Sequence, residues 1–276
     1  MKQQTLGFIG AGNMAGSLIA GLLADGYEPG NIWASDVDEE KLKHLAQRFG
    51  VNTSFDNSEV VEKSQVLVLA VKPQLMRVVT QGIVAATQRK KPLIISIAAG
   101  VSESSIDNWL GGDNDIVRCM PNTPALVKTG ATALHANDRI SDEQRSRAEA
   151  VMRSVGLAVW VEREDLLDAV TALSGSGPAY FFLFMEAMED AAIKLGLEPA
   201  AARLLTQQTA LGSARLAIES EESPAVLRQR VTSPGGTTEM AIAAFERAGL
   251  REQVFQAMTS ARNRAVELSA QWGDHQ

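Results

Sequence analysis

Two glycine turns hold the residues best suited to chemistry. The first lies in GFIGAGNMAG, where Gly10, Gly12 and the small pair Ala15 and Gly16 fall on the glycine positions of G-x-G-x-x-G/A. Gly10 permits a tight turn out of a strand, Gly12 lets the backbone approach a pyrophosphate, and Ala15 and Gly16 let the next helix pack closely on a sheet. The amides of Asn13 and Met14 then point from a helix N-terminus at the phosphates. The second turn is SPGGTT, Ser233–Thr238, set between two stretches with helical spacing. Gly235, Gly236 and Thr237, opening a helix near Thr238, offer backbone amides and a positive dipole end to a carboxylate, with hydroxyls from Ser233 and Thr238. The same residues also suit plain helix punctuation, with Ser233 or Thr237 as N-cap.

These turns need elements to hold them. Leu6, Phe8 and Ile9 read as a strand and SLIAGLLADG as a helix, and NIWASD is a second strand ending in Asp36, placed for a ribose diol. DEEKLKHLAQRFG reads as a helix, QVLVLAV as a buried parallel strand, PQLMRVVTQGIVAA as one helix with Pro in its first turn, and PLIISIAAG as another strand. DIVRCM, GATALHA and LAVWVE are further strands, with a helix over SDEQRSRAEAVMRSVG. The pattern predicts an α/β fold with a Rossmann-type doubly wound sheet over 1–164. Its ligand lies along the carboxyl ends of the strands, so Ala70–Pro73, Ile97–Gly100 and the turn Met120–Pro124 around Asn122 face the cofactor. Beyond about Glu164 the chain becomes almost continuously helical, which predicts an all-helical second domain over 165–276. The helix around Ala179–Ala192 is apolar on more than one face, as a central core helix or a subunit interface would be.

Composition narrows the function further. The chain has 276 residues, 45% hydrophobic and 21% charged, with net charge −7 and no Lys/Arg block to track a phosphate backbone. Nucleic acid is not an expected partner. The lone Cys119 cannot form an intrachain disulfide and no Cys/His cluster has metal-ligand spacing, so no metal is expected and a reducing cytoplasm fits. Leu6–Ala24 carries no charge, follows Lys2 and contains a GxxxG at Gly12 and Gly16, as a membrane helix would. The strand, turn and helix inside it argue against that. His44, His135 and His275 read as surface or structural residues, and Cys119 as a small hydrophobe.

RVTSPGGTTEMAIAAFE resembles the signature of the pyrroline-5-carboxylate reductases, the last enzymes of proline synthesis. GFIGAGNMA, AVKPQ, ISIAAG, RCMPNTPA and LSGSGPAYFF resemble further blocks of that family in the same order, so the resemblance spans essentially the whole chain. It implies a Rossmann domain, a helical dimerisation domain and hydride transfer from NAD(P)H to a cyclic imino acid in a homodimer that can assemble further. It places Ile9, Gly10, Ala11, Gly12, Asn13 and Met14, with Ala70, Val71, Lys72, Pro73, Ile97, Ala98 and Ala99, around the dinucleotide. Ser35, Asp36 and Asn57 would lie by the adenosine ribose. The substrate carboxylate would rest on the amides of Gly236, Thr237 and Thr238 with help from Ser233, and the Thr238 hydroxyl would meet the ring nitrogen. Ser174, Gly175, Ser176, Gly177 and Pro178 would line the nicotinamide side of the substrate.

Such chemistry asks for geometry more than for a strong acid or base. A protonated cyclic imine accepts hydride readily once held in a near-attack pose, about 3–3.5 Å from its donor. A related hydroxy-acid dehydrogenase would carry a Lys and an Asn four and eight residues after Gly177, where this chain has Phe181 and Met185. A dinucleotide-sensing regulator would leave SPGGTT idle. Cofactor preference stays open: Asp36 should repel a 2'-phosphate, whereas Ser35, Lys41 and Asn57 offer one a place, and family members often use NADPH.

Overall fold

A computed structural model describes residues 4–273; Lys2 and His275 lie outside the described residues. The sheet strands are β1 (Leu6–Ile9), β2 (Ile32–Ser35), β3 (Asn52–Ser54), β4 (Val66–Leu69), β5 (Leu93–Ser96), β6 (Ile116–Met120), β7 (Gly130–Ala136) and β8 (Gly156–Trp160). They lie in the order β3-β2-β1-β4-β5-β6-β7-β8, with every pairing parallel except β6 with β7. Side chains alternate across a strand, so each central strand feeds two cores. Phe8, Val68 and Ile95 enter one, and Ile9, Leu67, Leu69 and Ile94 the other. Burial on both faces is why these strands read as unbroken apolar runs.

Between the strands run α1 (Asn13–Ala24), α2 (Glu39–Phe49), α3 (Asn57–Lys63), α4 (Pro73–Gly82), α5 (Val84–Lys90), α6 (Glu103–Trp109) and α7 (Asp142–Arg153). Their ends carry local signals. Asp38 caps α2 by accepting from the amides of Glu40 and Lys41, and Ser141 and Gln144 form a reciprocal capping box on α7. The stretch read as one helix from Pro73 is two, broken at Ile83. Thr80 turns its hydroxyl onto the carbonyls of Met76 and Arg77, 2.7 and 3.1 Å away, and Gly82 weakens the next turn. Ile83 is thereby freed to bury completely.

After β8 come α8 (Leu166–Val170) and a single π turn, Thr171–Gly175, followed by α9 (Gly177–Lys194), α10 (Pro199–Glu219), α11 (Pro224–Arg230), α12 (Thr237–Arg247) and α13 (Leu250–Trp272). Contacts divide the chain into two compact units: residues up to Ser176 together with those from Ser260, and Gly177–Thr259. In the second unit only Gly177, Ala202 and Thr206 are buried, while Phe181, Phe182 and Leu183 are each about two-thirds exposed. The uncharged run from Leu6 folds as β1, a turn and α1. No helix among the described residues is long and apolar enough to cross a membrane.

Candidate dinucleotide and substrate sites

Strand order reverses between β1 and β4, which opens a crevice at their carboxyl ends. Gly10 and Ala70 lie there side by side, since the Ala70 amide donates to the Ile9 carbonyl at 2.8 Å. Gly10 has φ 101°, and a Cβ on it would sit 2.6 Å from the Ala70 carbonyl oxygen, so glycine is required by both backbone and space. Gly12 is different. Its φ is −76° and a Cβ would meet nothing within 4 Å, so its small size serves whatever comes to rest above the loop. Gly12 opens α1 with no side-chain cap, and the amides of Asn13 and Met14 have no acceptor among the described residues. Uncapped amides, a helix dipole and an open approach suit a pyrophosphate. Ala15, fully buried, takes the third glycine position, while Gly16 has room for a methyl group. On α1 the closest packing falls at Gly21, whose Cβ would lie 2.5 Å from the Ser154 carbonyl oxygen.

Asp36 closes the loop from the next strand. Its Oδ2 accepts from the Ala11 amide at 2.8 Å and its Oδ1 from the Asp38 amide at 3.0 Å, with Lys41 Nζ 3.8 Å away. The carboxylate therefore fixes the glycine loop, whatever ligand it also meets. Ser35 is fully buried and donates to Asn57 Oδ1 at 2.7 Å, so it orients Asn57 and has no exposed surface of its own. Asn57 lines a surface cavity of about 350 Å³ whose apolar walls include Phe55, Val78 and Ile83. Nothing in the sequence pattern marks these wall residues, because only folding gathers them.

Three more loops end nearby strands of the same unit. Lys72, extended as residues before proline are, leads into α4 through Pro73, while Ala70 and Val71 are half-buried. Ile97 donates to the Leu69 carbonyl at 3.2 Å, Ala98 is buried, Ala99 is half-buried, and Trp272 packs against Gly100. Asn122 is nearly buried and donates from Nδ2 to the Ser174 carbonyl at 3.0 Å. Ser174 Oγ itself donates to the Val170 carbonyl, and the Ser176 amide bridges five residues back to Thr171 at 2.8 Å.

Neither Cys119 nor His135 is poised for catalysis. Burial pushes the Cys119 thiol up, far from the thiolate range. His135 pairs with Glu103, 2.8 Å from Nδ1 to Oε1, in a network where Glu164 takes both the Glu103 amide and Arg118. Burial raises the Glu103 carboxyl, against the opposing pull of His135. His44 is exposed on α2. No group of His, Cys, Asp and Glu that could hold a metal occurs among the described residues.

In the second unit, the turn Ser233–Thr238 ends in the N-terminus of α12. Gly235 is the left-handed residue, φ 72°, whereas Gly236 is extended at φ −86° and ψ 171°. The Gly236 amide donates to the Ser233 carbonyl at 3.0 Å. The Gly235 amide donates to Glu239 Oε2 at 2.6 Å. A carboxylate from the chain itself thus sits on one edge of the turn. Sequence reasoning passed over Glu239, although it stands three residues after the N-cap Gly236, the capping-box spacing. The amides of Thr237 and Thr238 and the Thr238 hydroxyl have no partner among the described residues. Ser233 is exposed. Gly177 and Pro178 open α9.

Residues 164–268 match the family described as pyrroline-5-carboxylate reductase dimerisation, and residues 5–100 match that described as NADP oxidoreductase, coenzyme F420-dependent. The chain is 49% identical to the pyrroline-5-carboxylate reductase of Pseudomonas aeruginosa over 99% of its own length and 100% of the relative's. The solved pyrroline-5-carboxylate reductase of Coxiella burnetii is 47% identical and superposes with a TM-score of 0.93, covering 97% of this chain and 99% of that one. The pyrroline carboxylate reductase of Plasmodium falciparum, solved with NADP bound, is 28% identical with a TM-score of 0.85 over 98% and 99% of the two chains.

Proposed function

Because the chain belongs to the pyrroline-5-carboxylate reductase family, it reduces 1-pyrroline-5-carboxylate to L-proline with NAD(P)H, and we propose that the turn Ser233–Thr238 holds the substrate. The observation that carries this reading is the pair of amides at Thr237 and Thr238 that have no partner among the described residues, on a helix that none of their side chains caps. A carboxylate accepts from such amides and gains from the dipole behind them. The Thr238 hydroxyl, both donor and acceptor, can bond the ring nitrogen as imine or as amine. Ser233 adds a hydroxyl at the rim, and Gly235 and Gly236 shape the turn. The substrate reacts as its protonated imine: when bound, the reduced dinucleotide would supply the hydride to the imine carbon, the C=N π pair becomes the nitrogen lone pair, and the nitrogen keeps the proton it already carries.

The glycine loop Ile9–Met14 takes the pyrophosphate, with Ala70, Val71, Lys72 and Pro73 and Ile97, Ala98 and Ala99 beside it. Asp36 and the Ser35-oriented Asn57 meet the adenosine ribose, and the cavity between Phe55 and Val78 takes the base. Ser174, Gly175, Ser176, Gly177 and Pro178 line the nicotinamide side of the substrate. The cytoplasm suits a biosynthetic reductase with one buried, unpaired cysteine.

Turnover is read as loss of nicotinamide absorbance when purified protein meets 1-pyrroline-5-carboxylate. Folded protein inactive with both NADH and NADPH would contradict the function. The same assay tests Asp36. In Asp36→Ala the Ala11 amide loses its acceptor, so both dinucleotides should bind more weakly. The charge opposing a 2'-phosphate also disappears, so NADPH loses less. The ratio of kcat/KM for NADPH over NADH should rise about tenfold, from a charge interaction of about 1.4 kcal/mol. An unchanged ratio means that the carboxylate serves the loop alone.

The matched dimerisation region means that the chain oligomerises. A homodimer through the helical unit is the form we propose, with association of dimers as a further step. Burying one Phe or Leu side chain is worth about 1.5–3 kcal/mol, and Phe181, Phe182, Leu183, Leu204 and Leu211 stay more than half exposed in the single chain. Sedimentation at micromolar concentration should give a dimer or a multiple of it; a stable, active monomer would exclude this assembly.

A further inference from the structure

The π turn Thr171–Gly175 creates a hydrogen-bonding problem that the chain resolves from a distance. In a continuing helix the Ser174 carbonyl would accept from residue 178, but Pro178 has no N–H. The Ser176 amide closes the π turn onto Thr171, at 2.8 Å, and no backbone amide among the described residues donates to Ser174. Asn122 supplies one: its Nδ2 donates to that carbonyl at 3.0 Å. The other end of the amide is also engaged, because Oδ1 accepts from the Ala131 amide in β7 at 2.8 Å. Exchanging oxygen and nitrogen would set like against like at both contacts, so the partners fix the orientation of this side chain. Asn122 is 9% exposed. Two residues before it, Met120 packs beneath the same turn, where a Cβ on Gly175 would lie 2.5 Å from Met120 Cε.

We propose that Asn122 is a positioning residue, which holds the π turn in shape through the Ser174 carbonyl and thereby places Ser176, and that it does not bind the dinucleotide itself. This rests on the reading that Ser174–Pro178 line the nicotinamide side of the substrate. The geometry favours it over a cofactor contact because both polar ends of the side chain are already matched and little of its surface is open. A half-buried carbonyl left without its donor is costly, so the turn should relax when Asn122 is lost.

The test measures steady-state kinetics and dinucleotide dissociation constants for Asn122→Ala, Asn122→Asp and the double variant Asn122→Ala/Pro178→Ala. Asn122→Asp keeps the acceptor for Ala131 but sets an oxygen against the Ser174 carbonyl, so it carries the test should Asn122→Ala fail to fold. Both single variants should lose about tenfold to a hundredfold in kcat, with dinucleotide Kd changed by less than about twofold. Pro178→Ala restores an N–H at the helical position, so the double variant should recover about half or more of the logarithmic loss in kcat. Weakened dinucleotide binding that accounts for the whole loss in efficiency would make Asn122 a cofactor ligand and overturn the proposal. Wild-type kinetics in Asn122→Asp would overturn it too. Ser176→Ala separates this failure from that of the underlying reading. If Ser176→Ala impairs turnover while Asn122→Asp does not, only the role of Asn122 falls. If neither variant changes turnover, the placement of Ser174–Pro178 at the substrate falls with it.

Discussion

Gly12→Val should fold normally and fail to bind dinucleotide. A Cβ at this position meets nothing within 4 Å and the backbone has φ −76°, which any residue adopts. The folded state therefore has little to object to. Its only loss is the modest preference for glycine over valine at an N-cap, about 1 kcal/mol, or a few degrees in Tm for a chain of this size. A ligand pyrophosphate has much to object to, because the valine side chain fills the space through which it would reach the amides of Asn13 and Met14. Forfeiting two charge-assisted hydrogen bonds of about 1.5–3 kcal/mol each raises Kd by on the order of a hundredfold or more. Gly10→Ala should behave in the opposite sense. Its Cβ would lie 2.6 Å from the Ala70 carbonyl oxygen in a left-handed backbone, so the loss should appear first as a lowered Tm. Calorimetric titration with NADPH and NADH beside thermal melts checks both. Equal affinity in Gly12→Val and wild type would remove the pyrophosphate from this loop.

That contrast also shows what a sequence reveals and what it conceals. The motif G-x-G-x-x-A is legible because each small residue answers a local demand. Which demand each glycine meets is not legible, since Ala70 follows β4 and reaches Gly10 only through the pairing of β1 with β4. The buried parallel strands were readable for a related reason: VLVL and LIIS are buried on both faces, so burial overrides any alternation. β3 has no such mark. Asn52, Thr53 and Ser54 form a strand only because β2 offers an edge, with Trp33 opposite Asn52. The break at Ile83 and the π turn were concealed too. Thr80 and Ser174 look like ordinary helical residues until their hydroxyls or carbonyls find partners outside the regular ladder. In the candidate site the glycine turns and Asp36 stand out by type and spacing. The engagement of Asp36 with the Ala11 amide depends on where two strand ends meet, as does the pairing of Ser35 with Asn57.

Thr238→Ala and Gly236→Val should both impair turnover, but in different ways. Thr238→Ala removes a hydroxyl that has no partner among the described residues and leaves the backbone amides of Thr237 and Thr238 in place. Recognition of the carboxylate should survive, and the contact to the ring nitrogen should be lost. A hydrogen bond to a charged group is worth about 1.5–3 kcal/mol, so kcat/KM should fall about tenfold to a hundredfold. Binding of cyclopentanecarboxylate, which has the carboxylate but no ring nitrogen, should change little. Gly236→Val acts on the turn itself. The backbone at Gly236 is open to any residue, so strain in φ is not the issue; crowding is. Its Cβ would lie 3.0 Å from the Ser233 carbonyl oxygen, and the branched side chain would press the turn away from the amides that follow. Both kcat/KM and cyclopentanecarboxylate binding should therefore fall together. Glu239 sharpens the distinction, because its carboxylate already rests on the Gly235 amide and marks that edge of the turn as able to hold an anion. Competition assays with cyclopentanecarboxylate, run beside thermal melts, resolve the two cases. Wild-type efficiency in Thr238→Ala, or a lowered Tm with unaltered kinetics in both variants, would reduce Ser233–Thr238 to a helix start and place the substrate elsewhere.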